Sequence, residues 1–253
     1  MDCSAVGGQV AAPGGEPFSW SAAGAEMPPA SASLCMTCPV RDLCIGGVAA
    51  QAGTRQLLEV LAGRRALRAG EAFEQPHPCI CVVRSGSLKS LAPGADAGPA
   101  QGFHFRGEAV GAGGRGGLRL LALEDSELCV MRAGVDGRPD PESRACLDRL
   151  WDMVSRELLR ERAQANWLAS LQPVRRTTTF LAGLAARARG QGRSPQVLRL
   201  HLTTADIAAF LDVRLETVGR VLAVLALREV LLVEHRYLAI VNPELLQRAA
   251  GCD

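Results

Sequence analysis

Leu198-Arg-Leu-His-Leu-Thr-Thr-Ala-Asp-Ile-Ala-Ala-Phe-Leu-Asp-Val-Arg-Leu-Glu-Thr-Val-Gly-Arg220, with the apolar runs Leu231 to Glu234 and Tyr237 to Val241 behind it, is the stretch that decides the architecture. Leu198 to Leu202 alternates in the manner of a short strand. Thr203 or Thr204 is placed to cap a helix over Ala205 to Leu211, and Asp206 puts an acid in its first turn. Asp212-Val213-Arg214 reads as a turn and Leu215 to Leu227 as a second helix. The two apolar runs read as strands that meet at His235-Arg236. Strand, helix, turn, helix and hairpin in this order predict a winged helix-turn-helix.

Upstream, Asp140-Pro141 offers a helix cap and a first-turn proline. Leu147, Trp151, Val154, Leu158, Glu161, Ala165 and Leu168 then follow at spacings of 4, 3, 4, 3, 4 and 3. This is the seam of a parallel helix pair or of a helix buried on a neighbouring domain. Its length favours the pair, with Trp151, Val154 and Leu158 meeting their copies across a homodimer. Glu161 interrupts the seam; in a parallel pair it faces its own copy, so like charges oppose association at neutral pH. Two further helices are expected after Pro173, one over Thr177 to Arg189, closed by Gly190 and the Gln191-Gly192 pair.

Toward the N-terminus, residues 1–33 are rich in Ala, Gly, Pro and Ser and read as a disordered leader. A cysteine cluster follows, then a short helical pattern from Arg55 to Leu61. Cys79 to Val83, Ser87 to Leu91 and Leu118 to Leu123 are strand candidates, separated by Arg84-Ser85-Gly86, Pro93-Gly94 and a run of glycines from Gly111 to Gly117. Short strands with Gly-rich turns predict an antiparallel β-roll or small barrel. The expected fold class is α+β. Its parts are the leader over 1–33, a cluster-binding segment and cupin-like β-roll over 34–139, a dimerisation helix over 140–170, and a winged helix-turn-helix over 171–253.

Two motifs carry chemistry. Cys35-Met-Thr-Cys38-Pro-Val-Arg-Asp-Leu-Cys44 places three thiols within ten residues, with two and then five residues between them, so that one loop can wrap a compact metal centre. Structural zinc sites usually pair two Cys-x-x-Cys knuckles or add histidines. There is no second knuckle here and the four histidines are scattered, which makes zinc the runner-up. A 4Fe-4S cluster needs four thiolates, the fourth from Cys3, Cys79, Cys81, Cys129, Cys146 or Cys252. The segment itself offers little apolar company, which argues against plain core cysteines. The second motif, Leu215-Glu-Thr-Val-Gly-Arg220, would enter the major groove and present Glu216, Thr217, Gly219 and Arg220 to the bases. Glu216 accepts from a cytosine amino group, and Arg220, one turn on, forks onto O6 and N7 of guanine; each contact is worth roughly 1 to 3 kcal/mol of discrimination.

Composition bounds the alternatives. The 253 residues suffice for two domains. A net charge of +2 is too balanced to name a nucleic-acid partner, but from Ser170 onward eleven arginines oppose seven acids, 11 − 7 = +4, which marks the C-terminal third as the DNA-facing part. Lys89 is the single lysine. No apolar run approaches the roughly 20 residues that span a bilayer. The N-terminus lacks the basic start and apolar stretch of a secretory signal, so a cytoplasmic protein without membrane association is expected. Thiols stay reduced there, and the nine cysteines are expected to be ligands or core residues. No P-loop, dinucleotide loop or base beside a nucleophile is legible, so neither an enzyme nor a redox carrier that uses the cluster for chemistry is expected.

Taken in order, the cysteine segment, the glycine-punctuated roll, the heptad helix and the winged helix resemble the cyclic AMP receptor protein superfamily. More narrowly they resemble the fumarate and nitrate reduction (FNR) regulators. The likeness runs from about Cys35 to the end. It is carried by the cysteine segment, Val83-Arg-Ser-Gly-Ser-Leu-Lys-Ser90, Gly102-Phe-His-Phe-Arg-Gly-Glu-Ala-Val-Gly111, Ala122-Leu-Glu-Asp-Ser-Glu-Leu-Cys129, and Arg193-Ser-Pro195 with the helix-turn-helix. It implies that Cys129 is the distant fourth ligand beside Cys35, Cys38 and Cys44. It implies that an intact 4Fe-4S cluster favours the homodimer that binds double-stranded DNA, that oxygen degrades the cluster and returns monomers, and that Glu161 belongs to this switch. It also implies an oxygen-sensing transcription regulator acting at palindromic operators with TTGAT-like half-sites near anaerobically induced promoters, with surface loops of the roll touching RNA polymerase.

Three features depart from the family pattern. Gly219 stands where FNR has a serine, so the inner GA of the half-site, read by Glu216 and Arg220, is the expected readout. The glycine-rich segment after Gly111 is shorter than the family's. Arg214 stands at the usual N-cap of the recognition helix and Asp212 at a common turn glycine, and since Asp tolerates left-handed geometry the turn is expected to survive. A cyclic-nucleotide-responsive regulator of the same superfamily is the alternative. Its Gly-Glu is present as Gly107-Glu108, but the Arg-Ser or Arg-Thr pair that would hold the phosphate is absent, with only Arg115 nearby.

Overall fold

A computed structural model describes residues 35–52, 61–75, 79–92, 95, 98–111, 118–132, 148–149, 151–159, 162, 172–190, 198–234 and 237–251. The expected leader, the Asp140-Pro141 start, the seam positions Leu147, Glu161, Ala165 and Leu168, and Cys3, Cys146 and Cys252 lie outside the described residues. So do Arg115, Arg193-Ser-Pro195 and His235-Arg236.

Helix α1 (Ile45–Ala52) precedes the strands β1 (Leu61–Leu67), β2 (Ala72–Glu74), β3 (Cys79–Ser85), β4 (Ser87–Leu91), β5 (Gly102–Phe105), β6 (Ala109–Val110), β7 (Arg119–Ala122) and β8 (Ser126–Arg132). They form two four-stranded sheets, in the orders β1-β8-β3-β6 and β2-β7-β4-β5, with antiparallel pairing throughout. This is the expected antiparallel roll. Leu67, Cys81, Val83, Leu88, Leu120, Leu128 and Val130 fill its interior. The hairpin from β3 to β4 turns at Gly86 with φ +82, where a Cβ would fall 2.7 Å from Ser126 Cα, so a side chain there would strain both the backbone and its neighbour.

Leu61, expected to end a helix, instead opens β1 and pairs with Met131 of β8. The sheet provides tertiary partners that outweigh a weak helical preference. The rest of that expected helix lies outside the described residues.

Helix α2 runs over 151–159. Helix α3 (Pro173–Gly190) is one helix of 18 residues where two were expected. Proline at the first helical position costs no hydrogen bond, and the hydroxyls of Thr177 and Thr178 bond back to carbonyls of the preceding turn instead of breaking the helix.

Beyond it lie β9 (Leu198–Leu200), α4 (Thr204–Leu211), α5 (Leu215–Leu227), β10 (Leu231–Val233), β11 (Leu238–Ile240) and α6 (Pro243–Ala250). The three strands form a sheet in the order β10-β11-β9, completing the winged helix-turn-helix. The recognition helix has the expected bounds, the strands are shorter at their ends, and α6, capped by Asn242 with Pro243 behind it, was not anticipated. Thr203 and Asp206 close a reciprocal capping box. Asp212 takes up left-handed geometry at φ 50, as the turn required, and Arg214 caps α5 without a side-chain bond.

Roll and winged helix share one apolar cluster. Phe103 of β5 packs on Phe180 of α3 and edge-on to Phe210 of α4, with ring centroids 5.9 and 5.0 Å away. Arg187 of α3 locks the junction: its Nε donates to Glu108 Oε1 at 3.0 Å, and a terminal nitrogen donates to Glu108 Oε2 at 2.5 Å and to the Phe103 carbonyl at 2.7 Å. Lys89 Nζ reaches Asp206 at 2.6 Å, tying β4 to the cap of α4. Burial pushes the Asp206 carboxyl up, but Lys89 and Thr203 outweigh it and hold the group below its ordinary value.

Glu108 is almost fully buried, so Arg187→Ala takes the Arg187 guanidinium away from a buried carboxylate. The expected loss is about 3 kcal/mol of unfolding free energy, measured by denaturant titration. A loss under about 1 kcal/mol, the range of surface pairs, would refute the role given to this contact.

Candidate metal centre and nucleic-acid interface

The cysteine segment folds as a tight coil: Cys38 N donates to Cys35 O at 3.2 Å, a single 3-10 turn spans Arg41–Leu43, and Cys44 leads directly into α1. Gly47 lets this coil close, since a Cβ there would fall 2.1 Å from the Arg41 carbonyl oxygen. The backbone amides of Gly46 and Gly47 point at the Cys44 sulfur. Amides at a helix start favour a thiolate.

The coil lies on the outer face of the sheet β1-β8-β3-β6. Buried Cys38, Val40, Cys44 and Ile45 pack with Ile80 and Val82 of β3, Met131 of β8 and Met153 of α2, and half-buried Cys35 and Cys129 join them. Side chains alternate between the faces of a strand. Cys79 and Cys81 therefore turn into the roll interior, while Cys129, opposite Val82 in the ladder, turns outward toward the coil. The apolar company that the segment itself lacks comes from β3, β8 and α2, which corrects the expectation that these cysteines had little to be buried against.

Burial pushes the Cys44 thiol up to about 11 and the Cys129 thiol up to about 12, and it raises Cys35 as well. Each of the three thiols is pushed further by neighbouring cysteines, while Arg64 pulls Cys35 and Cys129 the other way. Buried thiols that repel one another once ionised keep their protons until a cationic centre replaces them. Among the described residues, no group of three or more His, Cys, Asp or Glu is already arranged to hold a metal ion.

On the winged helix, Val218, Val221, Leu222 and Leu225 bury one face of α5, leaving Glu216 and Arg220 exposed one turn apart and Thr217 half-buried between them. Among the described residues a Cβ on Gly219 would meet nothing within 4 Å. Of the seam residues, Trp151 is 72% exposed and Leu158 47% exposed, Val154 is half-buried, and Met153 on the other side of the helix is 4% exposed. Met153 lies off the spacing that joins Trp151, Val154 and Leu158, so the heptad pattern does not mark it.

Glu108, the acid of the cyclic-nucleotide alternative, is engaged by Arg187 and by the Phe105 amide, which donates at 3.0 Å. Among the described residues no helix is long and apolar enough to cross a membrane.

Known proteins are similar to this chain in sequence and fold. Residues 175–249 match the model of the Crp-like helix-turn-helix domain. The transcriptional activator protein anr of Pseudomonas aeruginosa is 32% identical over 199 residues, which covers 74% of this chain and 80% of that protein. The fumarate and nitrate reduction regulatory protein of Vibrio cholerae is 26% identical over 226 residues, covering 86% and 90%. Among solved structures, FixK2 from Bradyrhizobium japonicum superposes with a TM-score of 0.58 at 22% identity, covering 73% of this chain and 95% of that one, which speaks for the fold. A Crp-like recognition domain behind an antiparallel roll, in a chain with such relatives, makes this protein a member of the CRP/FNR family of transcription regulators.

Proposed function

We propose that the chain is an oxygen-responsive regulator in which Cys35, Cys38, Cys44 and Cys129 hold a 4Fe-4S cluster that promotes a DNA-binding homodimer. One observation carries the reading: Cys129 and the three loop cysteines meet in one packed group that also holds Met153 of α2. The donor set fits, since it offers four sulfurs, amides directed at Cys44, and the nearby cation of Arg64. Bound there, the cluster would supply an oxygen-labile cross-link between the coil and β8.

Cys35, Cys38 and Cys44 pin the coil and Cys129 pins the sheet, while Met153 carries the packing of that group to α2. The opposite side of α2 presents Trp151, Val154 and Leu158 to a second copy. Glu161 lies outside the described residues; in the proposed pair it opposes its own copy, so the metal-free dimer stays weak. Glu216 and Arg220 then read the inner GA of a TTGAT-like half-site, and surface loops of the roll contact RNA polymerase in the cytoplasm.

Sedimentation of the anaerobically purified protein before and after exposure to air tests the switch, with dimer expected before and monomer after. A dimer indifferent to oxygen would overturn it. Glu161→Ala is expected to shift the air-exposed protein toward dimer, and association equal to the parent's would take Glu161 out of the mechanism. Arg220→Ala is expected to cost about 1 to 3 kcal/mol of discrimination at the guanine position, read by titrating operators with and without that base pair. Retained discrimination would refute the assignment.

A further inference from the structure

The sheet face that carries Cys129 also carries three charged side chains. Arg64 stands directly across from Cys129 in the β1–β8 ladder. Glu127 precedes Cys129 by two residues on β8 and so shares its face. Arg84 is the residue left over where the β3–β8 register shifts between Val83 and Ser85, and such a bulge re-aims a side chain. Glu127 joins the two cations: Arg64 lies 3.8 Å from Oε1, and Arg84 bonds to Oε2. The side chains of Arg64, Arg84 and Glu127 are 20%, 23% and 25% exposed, largely shielded from solvent. Arg84 also lies beside Cys38, and among the described residues its Nε is buried with no hydrogen-bond partner.

We propose that Arg64, Arg84 and Glu127 form a charge-balanced frame for the cysteine centre, in which the two guanidinium groups hold the electron-rich sulfurs and Glu127 limits their pull. The inference rests on the reading of the four cysteines as cluster ligands. Two cations against one carboxylate leave a net 2 − 1 = +1 beside the sulfurs. Hydrogen bonds and positive charge at the sulfurs stabilise an electron-rich centre and raise its reduction potential, whereas a carboxylate does the reverse. These are positioning residues, and none of them is a ligand. Arg64–Glu127–Arg84 as a plain structural ion-pair network would weaken in the same direction whichever partner is removed. The frame requires opposite signs.

The full chain and its R84Q, R84K and E127Q variants, each loaded anaerobically with iron and sulfide, provide the test. The readouts are the rate at which an iron chelator strips the protein and the midpoint potential from spectroelectrochemistry, with thermal unfolding of the metal-free proteins as the control for folding. Arg84→Gln is expected to lose iron about tenfold faster at a lowered potential, and Arg84→Lys to recover part of the difference. Glu127→Gln is expected to lose iron more slowly at a raised potential. If the parent loads but both neutral variants match it, or both shift the same way, the frame is overturned while the cluster reading stands. A parent that takes up no iron or sulfide removes the cluster reading and the frame with it.

Discussion

The alternation of β3 and β8 is the constraint on which the rest of the molecule depends. Both strands are apolar on two faces: one set, with Cys81, Val83, Leu128 and Val130, fills the roll, and the other, with Ile80, Val82, Cys129 and Met131, receives the cysteine coil. A slip of one residue would exchange the sets, sending Cys129 into the roll and Leu128 out to the coil. The ladder from Cys79↔Arg132 to Val83↔Leu128 holds that register without a break. The bulge comes only afterwards, where Arg84 goes unpaired in the ladder beside Glu127.

Two sets of contacts leave the roll. One passes outward through Met153 to α2, whose opposite side is apolar and exposed. The other passes through β5, where Phe103 meets Phe180 and Phe210 and where Glu108 is clamped by Arg187. Lys89 adds a third tie, from β4 to the Asp206 that caps α4. The winged helix is therefore seated on the roll by an apolar cluster with buried charges at its margin.

The winged helix was legible because its signals are local. Thr203 and Asp206 form the cap that their spacing announces, Asp212 takes the left-handed turn, and Leu215–Leu227 starts and stops where the apolar period does. Cysteine spacing likewise marked the coil. Which distant cysteine faces it was not legible from the residues alone, since that depends on the register of two strands, and only the family likeness pointed to Cys129. β1 escaped notice because Arg64 and Arg65 interrupt its apolar run. The ion pairs Lys89–Asp206 and Arg187–Glu108 join residues 117 and 79 positions apart, and no local pattern announces such partners.

The central claim, that the packed cysteines ligate a 4Fe-4S cluster, is tested most directly by the metal and sulfide content of protein purified without air. Iron and acid-labile sulfide in equal amounts, about four of each per chain, with zinc near zero, is the predicted result. A colourless protein carrying stoichiometric zinc and no sulfide would contradict it.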